Sequence, residues 1–385
     1  MLTIPSFFSA WITTEAAGLF LARHVLRSVR AVGRGAHRTP QGRAALALEV
    51  ATMAGLASLI QESRRTGDEF EAVLAPVLDP ENLAARPPAV RMGAVVPVLA
   101  GVRKVENRRN VAYHDGAGWR NKLDVYEAKG LGSVTSPEAV RGLKRPALVE
   151  IHGGGWILGD KNQQGVPLLN HMASNGWVGF NINYRLAPRS KFPEQLIDCK
   201  RAIAWIRTNA EELGIDPDFI CVTGGSAGGY LTAMMALTAN DPEFQPGFEE
   251  VDTTVQAAVP FYGVYDLFDE GEAFATGFHD FLERVVVGSK RRVDADRWRR
   301  YSPLHRVHAD APPMLVIHGT SDTLVPVEQA RPFAQRLAAA SDHTALYAEL
   351  AGANHAFDIF PSPRSVRTTE YVERFLTGVR TGMVS

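Results

Sequence analysis

Four short motifs carry side chains that could together cleave an acyl bond, and the central one contains Ser226. The segment 224–228 reads Gly-Gly-Ser-Ala-Gly, a G-x-S-x-G pattern between a β-branched run, 219–223, and a helical pattern, 230–239. A strand, a tight turn and a helix in this order present the serine as an exposed nucleophile. Gly224 and Gly228 would let the strand and the helix approach closely. Because the pattern also arises by chance, its interpretation depends on the partners that a serine nucleophile needs.

A serine hydroxyl is a weak nucleophile and needs a base, an orienting carboxylate and an oxyanion hole. Asp322 follows the predicted strand 314–317, and His355 follows the last predicted strand in a Gly-rich loop. This chain order of serine, acid and histidine is the order of α/β-hydrolases. Among the 11 histidines, His355 is the one that follows the final strand. The alternatives are a turn role for Asp322 and a solvated His355; Asp358 is interpreted as a solvated neighbour.

A glycine-rich motif follows the predicted strand 147–151. It consists of His152, Gly153, Gly154, Gly155 and Trp156. The glycines let backbone N–H groups turn toward a substrate oxygen, as in the HGGG-type oxyanion motif. The N–H group of Ala227, which follows the serine at a helix N-terminus, would supply a further donor.

The elements that would position these motifs alternate between strands and helices from about residue 100. Such alternation predicts an α/β fold with a mostly parallel sheet flanked by helices. The clearest helix is 193–213, with a buried stripe of Leu196, Ile203, Ile206 and Leu213. The first two strands have no helix between them and are expected to form an antiparallel hairpin. The predicted strands are 103–113, 122–127, 147–151, 178–184, 219–223, 257–262, 314–317 and 345–350.

Residues 1–100 predict a helical N-terminal region, distinct from a hydrolase domain at 101–385. One helix face carries arginines at helical spacing and the other carries apolar side chains (Arg23, Arg27, Arg30 and Arg34; Leu19, Ala22, Leu26 and Val29). This pattern fits a solvated face on a helix packed against the main domain, or peripheral contact with a membrane surface.

An insertion at about 264–308 separates two predicted strands. Within it Phe274, Phe278, Phe281 and Val285 follow helical spacing. These side chains would either line a substrate pocket or dock the helix on the main domain.

Composition excludes several classes of function for this 385-residue chain. Its net charge of −1 offers no field for nucleic acid, and Cys199 and Cys221 lack the spacing of a zinc site. We expect neither a metal nor a cofactor. No clear signal peptide is expected, which indicates a cytoplasmic protein or one associated peripherally with a membrane or cell envelope. The apolar windows 16–25 and 44–60 fall short of about 18 uncharged residues, which predicts against a membrane-spanning helix.

Together these motifs resemble the hormone-sensitive-lipase family of α/β-hydrolases, in its bacterial carboxylesterase branch. The resemblance covers roughly residues 100–380 and includes the sequences YRLAP (184–188), DCKRAIAW (198–205), IHGTSDTLVP (317–326) and NHAF (354–357). It implies a fold of eight strands with a helical cap formed by the N-terminal segment and the insertion. It also implies nucleophile Ser226, acid Asp322, base His355 and oxyanion donors Gly154, Gly155 and Ala227. Many members have an acidic residue where this chain has Gly225.

The expected function is hydrolysis of small-molecule or lipid carboxylic esters through an acyl-enzyme intermediate. One alternative is an amidase, such as an aryl formamidase, on the same fold. Another is a ligand-binding protein with a hydrolase fold and no catalysis. The oligomeric state, the acyl-chain length and the alcohol stay open.

Overall fold

An eight-stranded sheet forms the centre of the computed structural model, which describes residues 3–79, 105–130, 140, 142–274, 277–360 and 362–385. The strand order is β1-β2-β4-β3-β5-β6-β7-β8. All eight predicted strands are present, although residues 103–104 of the first lie outside the described residues. The strands are Val105–Ala112 (β1), Lys122–Ala128 (β2), Arg145–Ile151 (β3), Val178–Ile182 (β4), Ile215–Gly225 (β5), Ala257–Phe261 (β6), Met314–Gly319 (β7) and Ala345–Leu350 (β8).

Strands β3 to β8 pair in parallel, and β1 and β2 close one edge in antiparallel fashion. Strands β4, β6 and β7 are buried along their whole length, and β3 is buried after its first residue, because helices cover both faces of a parallel sheet. The carboxyl ends of β3, β5, β6, β7 and β8 therefore lie along one edge, where the predicted motifs follow them. The predicted antiparallel opening of the sheet is confirmed.

Helices on the two faces and at the N-terminus cover this sheet. The predicted helix 193–213 is divided at Asn209, and its stripe from Leu196 to Leu213 is buried as expected. The α-helices in the described ranges are Thr3–Glu15 (α1), Ala17–Gly33 (α2), Pro40–Leu74 (α3), Val166–Ser174 (α4), Glu194–Thr208 (α5), Ala210–Leu213 (α6), Ala227–Leu237 (α7), Phe278–Phe281 (α8), Ala295–Arg300 (α9), Pro303–Arg306 (α10), Ala330–Ala340 (α11) and Pro363–Arg380 (α12).

The insertion is less regular than its spacing predicts. Within the predicted stripe, 274–285, the described residues are α-helical at Phe278–Phe281 alone, and Leu282–Val287 continues this helix as a π-helix. Phe274 precedes the helix and stacks on Phe278 with ring centroids 4.1 Å apart. The aromatic series is thus a packed cluster, but not one uninterrupted helical stripe.

Helices α2 and α3 differ from two expectations about the N-terminal region. Helix α3 is long and apolar enough to cross a membrane by length and composition, and only 6% of its apolar window is buried. The prediction against such a helix required about 18 uncharged residues, and Glu49 interrupts the window 44–60; the helix that contains this window is longer, Pro40–Leu74. Nor does the apolar face of α2 pack on the main domain, since Leu19, Leu26 and Val29 are about half exposed or more.

Candidate active site

Ser226 lies on the turn between β5 and α7, as predicted. Its backbone has φ 60° and ψ −119°, an unfavourable conformation for a residue with a side chain, and its N–H group donates to Phe261 O at 3.0 Å. Added Cβ atoms at Gly224 and Gly228 would lie 2.3 and 1.9 Å from Ile151 O. Both flanking glycines are therefore required for the strand and helix to approach β3, and the elbow geometry is confirmed.

The glycine motif after β3 lies directly against this elbow. Gly153 N donates to Gln164 Oε1 at 2.6 Å, and a Cβ at Gly153 would lie 3.2 Å from Ser226 Cβ. Gly154 and Gly155 have φ of 115° and 58°, values that favour glycine. The loop thus brings its backbone to the serine because its residues lack side chains.

The amides of Gly154, Gly155 and Ala227 have no hydrogen-bond acceptor among the described residues. Ala227 is the first residue of α7, where backbone N–H groups have no partner in the helix. Phe281 of the insertion reaches to 3.9 Å from the Cβ position of Gly155. Amides without a protein acceptor therefore lie in the glycine loop and directly after the serine, and an apolar ring lies beside Gly155, which fits the predicted oxyanion hole.

His152 supports the glycine loop from beneath. Its ring is fully buried, stacks on Tyr184 at 4.3 Å and donates from Nδ1 to Gly153 O at 2.7 Å. Burial lowers the pKa of His152 to about 4, so the ring is neutral near pH 7. Trp156, with φ 62°, packs edge-on against Tyr230 and is also buried. The supporting motif acts through packing and backbone contacts.

Asp322 and His355 meet at the end of β7 and β8. His355 Nδ1 donates to Asp322 Oδ2 at 2.6 Å, which leaves Nε2 as the ring atom free to accept a proton. The other carboxylate oxygen accepts the N–H groups of Leu324 and Val325 at 2.9 and 2.8 Å. The carboxylate is thereby fixed from both sides, and it orients the imidazole.

Electrostatics keep Asp322 ionised. Burial alone would raise its pKa, but the charge of His355 and hydrogen bonds from His318 and His355 hold the pKa well below its usual range. His318, fully buried at the end of β7, lies 3.5 Å from the same carboxylate and also contacts Val325 O at 3.0 Å. The structure therefore places His318 behind the acid, where it contacts Asp322.

Tyr262 connects the serine and histidine regions and was not identified from the sequence. Its ring centroid lies 4.6 Å from that of His355, and its hydroxyl donates to Asp358 in a short hydrogen bond. Asp358 is therefore an internal partner and not the solvated residue expected, and burial raises its pKa. A Cβ at Gly225 would lie 2.5 Å from Tyr262 Oη. The glycine that departs from the family pattern thus leaves the space that this tyrosine fills.

No hydrogen bond joins Ser226 to His355 within the described part of the chain. The predicted residues are brought together in two groups: the serine with the glycine loop, and Asp322 with His355. Tyr262 lies against the second group and beside Gly225, the residue before the serine. Its position directly after β6 was the only signal in the sequence that could have found it.

Helix α1 contacts the histidine loop from the N-terminal region. Phe7 packs edge-on against the His355 ring at 6.0 Å, and Trp11 Nε1 donates to Ala356 O at 2.7 Å. Trp11 also stacks on Phe360 at 4.8 Å. Residues far apart in sequence therefore form one wall beside the histidine, which periodicity within α1 could not reveal.

Two of the motifs that carry the resemblance meet in one ion pair. Arg185, from YRLAP, donates through Nε and Nη2 to the carboxylate of Asp198, from DCKRAIAW, each at 2.8 Å. The backbone N–H of Arg185 donates to the same carboxylate at 2.9 Å. A bidentate pair fixes direction as well as distance, so these motifs hold the segment after β4 onto α5.

Comparison with known proteins decides the family. The BD-FAE family model matches residues 134–337. The chain is a hormone-sensitive-lipase family α/β-hydrolase. This hydrolase is 39% identical to the probable carboxylic ester hydrolase LipM of Mycobacterium tuberculosis, over 98% of this chain and 85% of that protein. It is 40% identical to esterase LipC of the same organism, over 83% and 78%.

Among solved structures, this hydrolase resembles the thermophilic esterase Est2 of Thermogutta terrifontis. The TM-score is 0.58 at 27% identity, covering 74% of this chain and 94% of that one. Because these relatives are carboxylic ester hydrolases and esterases, we conclude that this hydrolase is a carboxylic ester hydrolase.

Proposed function

We propose that this hydrolase cleaves small-molecule or lipid carboxylic esters with Ser226 as nucleophile, His355 as base and Asp322 as the orienting acid. The observation that carries the proposal is the 2.6 Å bond between His355 Nδ1 and Asp322; Tyr262 lies against this histidine and against Gly225, the residue before the serine on its strained elbow. This bond leaves Nε2 to face the reacting centre. The pairing of a fixed base with a strained serine is the arrangement that nucleophilic catalysis requires.

In the first half-reaction, the Ser226 hydroxyl proton passes to His355 Nε2 while Oγ bonds to the ester carbonyl carbon. The carbonyl oxygen becomes an oxyanion, held by the free amides of Gly154, Gly155 and Ala227. The C–O bond to the alcohol then breaks, and the alcohol leaves with the proton from Nε2. In the second half-reaction, water loses a proton to Nε2 and attacks the acyl carbon; the bond to Ser226 Oγ then breaks, Oγ takes the proton back from Nε2, and the acid is released.

The same proposal assigns the cap to the N-terminal region, residues 1–100, together with the insertion at about 264–308. Phe281 beside Gly155 and Phe7 beside His355 support this division, because each presents an apolar ring next to a proposed reacting group. An acyl group between these rings would be shielded from water. Activity on p-nitrophenyl esters from acetate to palmitate would measure the depth of that space.

The test of the nucleophile is Ser226→Ala, assayed by p-nitrophenyl acetate hydrolysis and by covalent labelling with a fluorophosphonate. Ser174→Ala, a surface serine on α4, is the matched control. We expect Ser226→Ala to lose labelling and nearly all activity, whereas the control keeps both. Labelling of Ser226→Ala at the wild-type rate would contradict the assignment. Asp322→Asn should keep the fold but lower kcat by about 10⁴, because the imidazole loses its fixed tautomer.

An amidase on the same fold predicts a different preference between leaving groups. Matched ester and anilide substrates with the same acyl group separate the two. We expect kcat/KM to favour the ester, and a preference for the anilide would reassign the reaction.

A further inference from the structure

The hairpin formed by α2 and the first half of α3 extends away from the hydrolase body. Helix α3 packs against α12 and β8 only toward its C-terminal end, and its buried residues begin at Leu56. Before that point its main partner is α2, in which Ala17 is the only buried residue. We call residues 17–55 the hairpin; it is stabilised by its own pairing and leaves its outer faces to the solvent.

Those outer faces are apolar. On α2, the half-buried side chains such as Leu21, His24 and Ser28 face α3, and the apolar side chains on another face are exposed. Their exposed fractions are 49% for Leu19, 46% for Val25, 51% for Leu26, 63% for Val29 and 44% for Val32; on α3, Leu48 is 71% and Val50 60% exposed. Contiguous exposed apolar surface of this kind marks a binding surface.

A second face of α2 carries positive charge beside the apolar one. The hairpin contains six arginines (Arg23, Arg27, Arg30, Arg34, Arg38 and Arg43) and one carboxylate, Glu49. Glu49 is paired with His24 at 2.6 Å and with Arg27 at 3.4 Å. The formal charge of the hairpin is thus +5 in a chain whose total is −1. The occupant of this surface must therefore be both apolar and anionic.

We propose that the hairpin docks on the surface of an anionic lipid bilayer, with its apolar face inserted among the acyl chains and its arginines at the headgroups. A helix with adjacent apolar and basic faces binds in this way. A second copy of the chain would bring five positive charges against five, which opposes pairing of the two faces. Helix α2 is about 26 Å long at 1.5 Å per residue, shorter than a hydrocarbon core of about 30 Å. Its arginines at 23, 27 and 30 also oppose insertion across the core. The part of α3 that belongs to the hairpin, residues 40–55, is about 24 Å long and is likewise shorter than the core.

The test is flotation of the full-length Ser226→Ala protein with vesicles of phosphatidylcholine, with and without phosphatidylglycerol. Catalysis plays no part in this readout, so its outcome is independent of the proposed triad. We expect binding to the anionic vesicles that weakens as salt rises. Each arginine near an anionic surface contributes about fivefold to partitioning, so Arg30→Glu with Arg34→Glu should weaken binding by at least about 25-fold.

Matched controls lie outside the hairpin. Arg292→Glu with Arg336→Glu makes the same charge change at exposed positions and should leave partitioning within about twofold, since screening confines each effect to about 10 Å. Val29→Ser should weaken binding, whereas Val293→Ser, at a site 80% exposed in the insertion, should not. Because these positions are exposed, the melting temperature should stay unchanged in all four variants.

Three results would overturn the proposal. The first is no binding of the wild-type hairpin to anionic vesicles. The second is equal loss in the hairpin variants and their controls. The third is a dimer in light scattering that Val29→Ser dissociates, which would assign the apolar face to a second copy of the chain.

Discussion

Replacing Gly225 with alanine tests how closely the position of Tyr262 controls that of His355, the proposed base. Gly225 ends β5 with φ outside the left-handed region, so alanine causes no backbone strain. The added Cβ would lie 2.5 Å from Tyr262 Oη and 2.8 Å from Cζ. Unbonded heavy atoms pack at about 3.5 Å, so the ring must move by about 1 Å. Tyr262 is 1% exposed and its ring contacts His355, Phe357 and Phe261, so this movement is passed to the histidine.

The expected effect of Gly225→Ala has two parts. Overpacking should lower the free energy of unfolding by about 1–3 kcal/mol. Misplacement of the base by up to about 1 Å should lower kcat/KM on p-nitrophenyl acetate by about 10–100-fold. Steady-state kinetics and thermal denaturation measure the two parts. The rate of fluorophosphonate labelling should fall together with kcat/KM, because both depend on the activated serine.

Gly271→Ala is the control, since a Cβ there meets nothing within 4 Å. It should leave kinetics and melting temperature unchanged. A double variant, Gly225→Ala with Tyr262→Leu, should recover part of the lost stability because the smaller side chain admits the Cβ, and the two changes should therefore be non-additive. Wild-type kcat/KM and melting temperature in Gly225→Ala would refute the reasoning.

Two further predictions concern the supports of the site. Trp11→Phe keeps the stacking on Phe360 but removes the hydrogen bond to Ala356 O. It should therefore lower the free energy of unfolding, measured by urea titration, by about 1 kcal/mol. Wild-type stability in this variant would show that the bond is dispensable. The loss of stability at acidic pH should depend on protonation of His152. Its folded pKa of about 4 lies below the usual value near 6.5, so the unfolded chain binds the proton first and stability is lost as pH falls from about 6.5 to 4, by up to about 3 kcal/mol. His152→Gln should reduce the difference in melting temperature between pH 7 and pH 4.5; an unchanged difference would contradict this account.

The strands and the positions of Ser226, Asp322 and His355 followed from the sequence because their signals are local. An apolar run marks a buried strand, and parallel strands place the residues after them along one edge. Tyr262 could not be predicted in this way, since its role depends on the missing side chain of Gly225 and on Asp358, 96 residues away. Its φ of 36° is likewise set by the surrounding structure.

The outer surface of α2 shows the complementary limit. Periodicity separates Leu26 and Val29 from Arg27 and Arg30, but it does not tell which face another element covers. The pattern fitted both packing on the main domain and contact with a membrane surface; in the structure α3 covers a third face of α2 and leaves the apolar face exposed. Tertiary pairing therefore decides what a helical pattern means.

The contacts of α1 with the histidine loop link folding at opposite ends of the chain. Trp11 meets Ala356 across 345 positions, and Glu15 accepts a hydrogen bond from Ser362 across 347. Contacts of such separation form late, because a long loop must close before they stabilise anything. During synthesis α1 is made before β8 and α12, and its aromatic side chains lack these contacts until the last strand and helix have formed. The loop of His355, the proposed base, therefore acquires its contacts with α1 late in folding, and a nascent chain that stalls before residue 355 exposes Phe7 and Trp11 to aggregation.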